Sequence, residues 1–339
     1  MRTIPLLHGL LALLLACAGT ASATPRITVL YDAFGDDPAM HKDWGFAALI
    51  EVDGRRILFD TGNDAGIFAR NVAAKGVDLR DLDLVVMSHR HADHMAGLGV
   101  VLAANPTVPV YAPQEGFGIY GSSLPADFYR KAPELPARMR YYDGEPPETL
   151  RFGSAWQGAD FRPLTGITEI APGVWAIVGV SDAPGTRELR EVSLAIRTEQ
   201  GLVLVVGCSH PGIGSIVAEA RRIDPDIHLV VGGFHFVTAD DAAIAGMVDA
   251  LRAAEVSFIA PGHCTGEPTF AALLAAFGER YLYAGVGAVL ELDRVDGPER
   301  PRGAAARLSG AEQAQYRLLA VHGHDHDHVD GVLAAAHDH

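Results

Sequence analysis

Apolar and polar positions along the chain fall into two β-rich halves that share one order of elements. In the first half, RITVLYDAF (26–34), FAALIEV (46–52) and RILFDTG (56–62) are short runs rich in β-branched and aromatic residues. The Asp53-Gly54 pair between the last two is a hairpin signal, so the three predict an antiparallel meander. AGIFARNVAAKGV (65–77) has apolar residues at helical spacing with Gly76 near its end, and DLDLVVMSH (81–89) returns as a buried strand. HMAGLGVVLAANP (94–106) predicts a helix stopped by Pro106, and VPVYAP (108–113) the next strand. The second half runs GVWAIVGV (173–180), EVSLAIRT (191–198) and GLVLVVG (201–207) as strands. A helix (214–223), a strand (227–233), a helix (240–254) and a strand (256–262) follow, and the core ends near Leu292. Two such halves with helices between them predict an α/β fold, an αββα sandwich.

Three stretches break this rhythm. Residues 114–165 are dense in Gly and Pro yet hold Tyr120, Tyr129, Tyr141 and Trp156 among other aromatics. A long irregular insertion with aromatics predicts a lid or pocket wall, the alternative being a small satellite core. At the start, Arg2, an apolar run from Leu6 to Ala18 and then Ala21-Ser22-Ala23 predict a secretory signal peptide, residues 1–23, cleaved after Ala23. The rival is a lipoprotein site at Leu14-Leu15-Ala16-Cys17, to which Leu15 is a poor fit. The domain expected over 24–292 is followed by a linker and flexible tail, 293–339. That tail carries His322, His324, His326, His328, His337 and His339, a composition that captures metal weakly and forms no core.

Composition narrows the function. The 49% apolar content supports a large core, and 42 Asp+Glu against 27 Lys+Arg, a net charge of −15, leave no basic surplus for a nucleic-acid backbone. A small-molecule substrate is the expected partner. The N-terminal apolar run is shorter than the roughly 20 residues a spanning helix needs, and no second run of that length follows. No stable membrane insertion is expected, and the mature chain is expected in a periplasm or outside the cell. It would keep only Cys208 and Cys264, too few for a disulfide framework. Oligomeric state and substrate stay open.

The chemistry concentrates in SHRHADH, residues 88–94, at a predicted strand-to-helix turn. Capping a helix needs one or two polar residues, whereas His89, His91, Asp93 and His94 make an H-x-H-x-D-H array. Imidazole nitrogen and carboxylate oxygen are ligands that zinc and similar ions accept, so His89 and His91 suit one ion, and Asp93 and His94 a second. GCSHPG brings Cys208 and His210, GGFHF brings His235, and PGHCTG brings His263 and Cys264. Each follows the C-terminal end of a predicted strand, where open α/β sheets place their sites. His41 and His228 read as satisfied core residues. Cys208 and Cys264 read as buried small residues or as a disulfide.

LFDTG, SHRHADH and the late PGH together resemble the metallo-β-lactamase superfamily of metallohydrolases. GCSHPGI, GGFHF and PGHCTGEPTF resemble its subfamily named 7,8-dihydropterin-6-methyl-4-(β-D-ribofuranosyl)aminobenzene 5′-phosphate synthases, over residues 27–292. The resemblance implies His89, His91, Asp93, His94 and His263 as ligands of two divalent ions, with Asp60 orienting the ligand loop. Zinc is the default, with manganese or iron as alternatives. The superfamily adds a histidine before a bridging carboxylate, but no histidine lies between His94 and His210 here, and Cys208 stands where the bridging aspartate falls. His210 is therefore expected to complete the first site, with His235 as the fallback and Cys208 as a thiolate ligand or bridge. The expected function is exported hydrolysis by a metal-bound hydroxide of an ester, lactone, lactam or phosphoester. Asp93 would shuttle the proton and His235 hydrogen-bond the substrate or oxyanion. The alternatives are a β-lactamase, the synthase activity, and a non-enzymatic metal-binding protein.

Overall fold

The computed structural model describes residues 24–115 and 118–295. The predicted signal peptide and the histidine-rich tail lie outside the described residues.

A first sheet grows from β1 (Arg26–Tyr31), β2 (Ala47–Val52) and β3 (Arg55–Phe59), an antiparallel meander. Asp53 and Gly54 turn the β2–β3 hairpin with φ of 49° and 75°, the left-handed pair that a two-residue hairpin demands. Asp64 then caps α1 (Ala65–Ala74) by accepting the N–H of Ile67. The chain continues through β4 (Leu84–Val86), α2 (Ala92–Met95), α3 (Leu98–Ala104) and β5 (Pro109–Pro113). β6 (Tyr120–Pro125) and β7 (Thr149–Ser154) pair as a separate antiparallel ribbon, and β8 (Asp160–Leu164) joins the first sheet parallel to β5.

The second sheet takes β9 (Thr168–Ala171), β10 (Val174–Val180), β11 (Arg190–Thr198) and β12 (Gly201–Val206). After α4 (Ile213–Ala220) come β13 (Ile227–Gly233), α5 (Asp241–Ala253), β14 (Phe258–Gly262) and α6 (Glu267–Phe277). β15 (Val289–Glu291) returns to the first sheet beside β1. The sheet orders are β15-β1-β2-β3-β4-β5-β8 and β14-β13-β12-β11-β10-β9.

Period-two alternation makes the layers. Ile50, Ile57 and Val86 from the first sheet meet Leu194, Val203 and Val231 from the second in the central core. Their neighbours Leu49, Leu58 and Val85 face outward onto Phe68, Val72 and Leu98. Leu204 and Val230 face Ile216, Val217, Met247 and Leu251 on the other side. This is the αββα sandwich that the pattern predicts.

Four details differ from the sequence reading. The single helix expected over 94–106 is two, α2 and α3, joined through Gly97. A Cβ at that position would meet the Thr61 carbonyl oxygen at 2.5 Å and the Phe68 ring at 2.7 Å. Close approach of the Asp60 loop, not helix propensity, sets the break. Helix α6, with Pro at its start and Gly278 after its end, was not expected. His41 is exposed and not a core residue, because only its backbone is tied down, donating to Asn71 Oδ1 at 2.8 Å; His228 is buried. Finally, 114–165 is more regular than expected. Its β8 belongs to the main sheet, and Tyr120, Trp156 and Phe161 pack against the outer core of that sheet, whereas Tyr141 is 70% exposed.

Candidate metal centre

Five strand ends converge on one place. Asp60 follows β3 and His89 follows β4, while Cys208, His235 and His263 follow β12, β13 and β14. Asp60, Ser209, His235 and His263 all adopt left-handed backbone conformations, with φ of 58°, 64°, 56° and 48°. Non-glycine residues take that conformation at a cost, and such residues cluster at functional sites.

Asp60 is fully buried and accepts three hydrogen bonds: Ser88 N–H at 2.7 Å, Ser88 Oγ–H at 2.6 Å and His94 Nδ1–H at 2.7 Å. With its proton on Asp60, Ser88 Oγ accepts from His89 Nδ1 at 2.8 Å. These partners fix both imidazoles with Nε2 turned inward, as outer-shell groups do for ligating histidines. His94 Nε2 then stands 3.1 Å from Cys208 Sγ and 3.1 Å from His263 Nε2, and His89 Nε2 stands 3.1 Å from His91 Nδ1.

On the second sheet, Glu191 of β11 is buried and accepts the backbone N–H groups of Cys208, Ser209 and His210 at 2.7, 2.7 and 2.8 Å. It also accepts His210 Nδ1–H at 2.8 Å, leaving His210 Nε2 buried with no partner. Asp32, at the end of β1, accepts the His263 N–H at 2.9 Å.

The donor atoms gather in groups whose members lie within 4.8 Å of one another. One is His89, His91 and His210; another is Asp93, His94 and His263. Cys208 stands between them, in a third group with His89 and His94, and also belongs to a fourth with His235 and Cys264. Both cysteines are free thiols. The structure therefore brings His210, not His235, to the His89–His91 pair. His235 sits at the rim, its ring 4.3 Å from that of His210.

Electrostatics suit cation binding at His89, His91 and Asp93, whereas His94 must first shed a proton. Burial, reinforced by the neighbouring imidazoles, pushes His89 far down, and burial with His210 nearby lowers His91 to about 4, so both are neutral donors at pH 7. Burial works against charge on Asp93, but its hydrogen bond to His263 and the His94 imidazole outweigh it and hold the carboxylate ionised. Burial likewise opposes the His94 cation, and the Asp60 carboxylate outweighs it, lifting His94 to about 9. Nitrogen atoms facing each other at 3.1 Å, an orphaned buried His210 Nε2 and an ionised Asp93 form a donor set that fits divalent metal.

Sequence reasoning missed Glu191, Asp32 and Ser88. The one available signal was a carboxylate heading an apolar strand, EVSLAIRT, where an inward position should be apolar. Asp32 carried no signal.

Comparison with known proteins agrees with this architecture. Residues 45–189 match the model of the metallo-β-lactamase superfamily. The 7,8-dihydropterin-6-methyl-4-(β-D-ribofuranosyl)-aminobenzene-5′-phosphate synthase of Methanocaldococcus jannaschii is 29% identical over 269 residues, covering 70% of this chain and 86% of that protein. An uncharacterized protein of the same organism is 27% identical over 264 residues, covering 73% and 92%. A solved metal-dependent hydrolase of the β-lactamase superfamily superposes with a TM-score of 0.60 at 25% identity, covering 79% of this chain and 99% of that one. The chain thus carries a metallo-β-lactamase superfamily domain and has that superfamily's fold.

Proposed function

We propose that this protein is an exported hydrolase dependent on two divalent metal ions. One observation carries the reading: two three-residue donor groups, His89–His91–His210 and Asp93–His94–His263, flank the Cys208 thiol at one set of strand ends. His89, His91 and His210 would hold one ion, Asp93, His94 and His263 the other, with Cys208 between them; zinc is the first choice. Two such ions acidify water and polarise an electrophile.

The chain's own groups do the rest. Asp60, Ser88 and Glu191 hold the His94, His89 and His210 rings with Nε2 turned inward before any metal arrives, and His94 gives up its Nε2 proton when it ligates. Asp93 is partly exposed, with Oδ2 3.4 Å from His263 Nε2, and its exposure supports a role in passing a proton to the leaving group. Its depressed pKa makes it a weak base, so it holds that proton only transiently. His235 is exposed at the rim, and its hydrogen bond to Cys264 raises its pKa, favouring the protonated donor form that would meet a substrate oxygen. Substrate classes consistent with this arrangement are esters, lactones, lactams and phosphoesters.

The test is turnover of a lactone, a chromogenic lactam and a phosphodiester by metal-loaded protein, before and after chelation. Turnover of one class, lost on chelation and restored by metal, supports the proposal. Turnover indifferent to chelation, or none by metal-loaded protein, contradicts it. A second reading rests on the 29% identity to the synthase: the same centre would bind a pterin. Quenching of pterin fluorescence without hydrolysis of any panel member would favour it. The export proposal rests on residues 1–23, and N-terminal sequencing of the mature protein should read from Thr24.

A further inference from the structure

The segment between β6 and β7 encloses a cavity of about 380 Å³ to which no candidate metal ligand contributes. That volume is in the range of small-molecule sites. Its wall combines two kinds of group. Tyr129 and Tyr141 meet edge to face, with ring centroids 5.1 Å apart, and Met139 beside them is 60% exposed. Arg130, Lys131 and Arg140 supply positive charge, and no acidic side chain lines the cavity.

Three cations share this one wall, and none of them is neutralised there. Some arginines elsewhere meet carboxylates: Arg90 meets Glu115, Arg162 meets Asp160 and Arg197 meets Asp224. Among the described residues, no ion pair forms at Arg130, Lys131 or Arg140. Arg140 goes further, because its Nε is buried without a hydrogen-bond partner. A guanidinium on a cavity wall with no carboxylate beside it still carries its charge and its fork of N–H donors, which match an anionic group. The guanidinium lies close over Gly144, where φ is +96° and a Cβ would meet its central carbon at 2.7 Å. Glycine at 144 lets Arg140 lie against the chain.

We propose that this cavity is a second binding site, for a small organic anion carrying an aromatic ring. Arg140 takes the anionic group, Arg130 and Lys131 add attraction, and the ring packs on Tyr129 and Tyr141. Its lining shares no residue with the candidate metal ligands, so the proposal does not rest on which reaction that centre performs.

The test is titration of the metal-loaded full chain with naphthalene sulfonate, followed by fluorescence anisotropy, with naphthyl methanol as the uncharged probe and methanesulfonate, read as a competitor of the sulfonate, as the ringless one. Saturable sulfonate binding is expected, weakened about tenfold or more in Arg140→Gln and in Tyr141→Ala. Both other probes should bind more weakly, and Arg162→Gln, outside the cavity, should bind as wild type does. Lys131→Gln serves as the charge test if Arg140→Gln disturbs the fold. Equal affinity for the uncharged probe, unchanged binding in the cavity variants, no saturable binding, or loss of binding on chelation would each overturn the proposal.

Discussion

The Glu191 carboxylate accepts both the backbone N–H and the Nδ1–H of His210 at 2.8 Å, so one buried side chain sets the position and the tautomer of a candidate ligand. Glu191→Gln keeps the shape but can turn its amide N–H toward Nδ1, undoing the tautomer. Metal affinity should fall about 10- to 100-fold, the usual effect of losing such a partner. Isothermal titration of metal into chelator-stripped protein measures it, and unchanged affinity would refute the role.

Glu191→Ala should do more. It leaves the N–H groups of Cys208, Ser209 and His210 without their acceptor in a buried turn. Each such loss costs about 1–3 kcal/mol, so denaturant unfolding should show a drop well beyond that of Glu191→Gln.

Much of the site was legible because its ligands come from short motifs at strand ends, and an H-x-H-x-D-H array is visible before any fold is known. The holders of those ligands were not. Glu191 reaches Cys208 only because β11 pairs antiparallel with β12, with Leu194 opposite Val205. Asp32 reaches His263 across 231 residues. No local pattern encodes such contacts. In the fold, period-two alternation revealed the sandwich, but the break between α2 and α3 depends on Thr61 and Phe68 crowding Gly97, a tertiary constraint.

That crowding makes Gly97→Ala informative. Its Cβ would sit 2.5 Å from a backbone oxygen that has little room to retreat. A loss of about 1–3 kcal/mol in chemical denaturation is expected, as for other overpacked sites. Wild-type stability would contradict the packing account.

Cys208 and Cys264 are free in the structure, and Cys264 Sγ lies 3.8 Å from the Cys208 carbonyl oxygen. Thiol titration of mature protein unfolded without reductant should therefore find both. A disulfide would leave none and would remove Cys208 from the metal centre.

Away from the site, Lys75 Nζ meets Asp37 Oδ2 at 2.9 Å, and this hydrogen bond lowers the Asp37 pKa below 3.8. A carboxyl group whose folded pKa is depressed stabilises above its unfolded value, and that stability fades as pH falls through the folded one. Solvent screening keeps the pair near ~1 kcal/mol or less. Lys75→Met should lose that amount at neutral pH and converge with wild type in strong acid. A gap between the two that persists in acid would contradict this linkage.

The most direct test of the central claim is the metal content of protein ending at Val321, without the histidine-rich tail, for wild type, His210→Ala and His235→Ala. Elemental analysis should find about two ions per chain in wild type and in His235→Ala, falling towards one in His210→Ala. Both ions retained in His210→Ala, or wild type with no metal, would contradict the account.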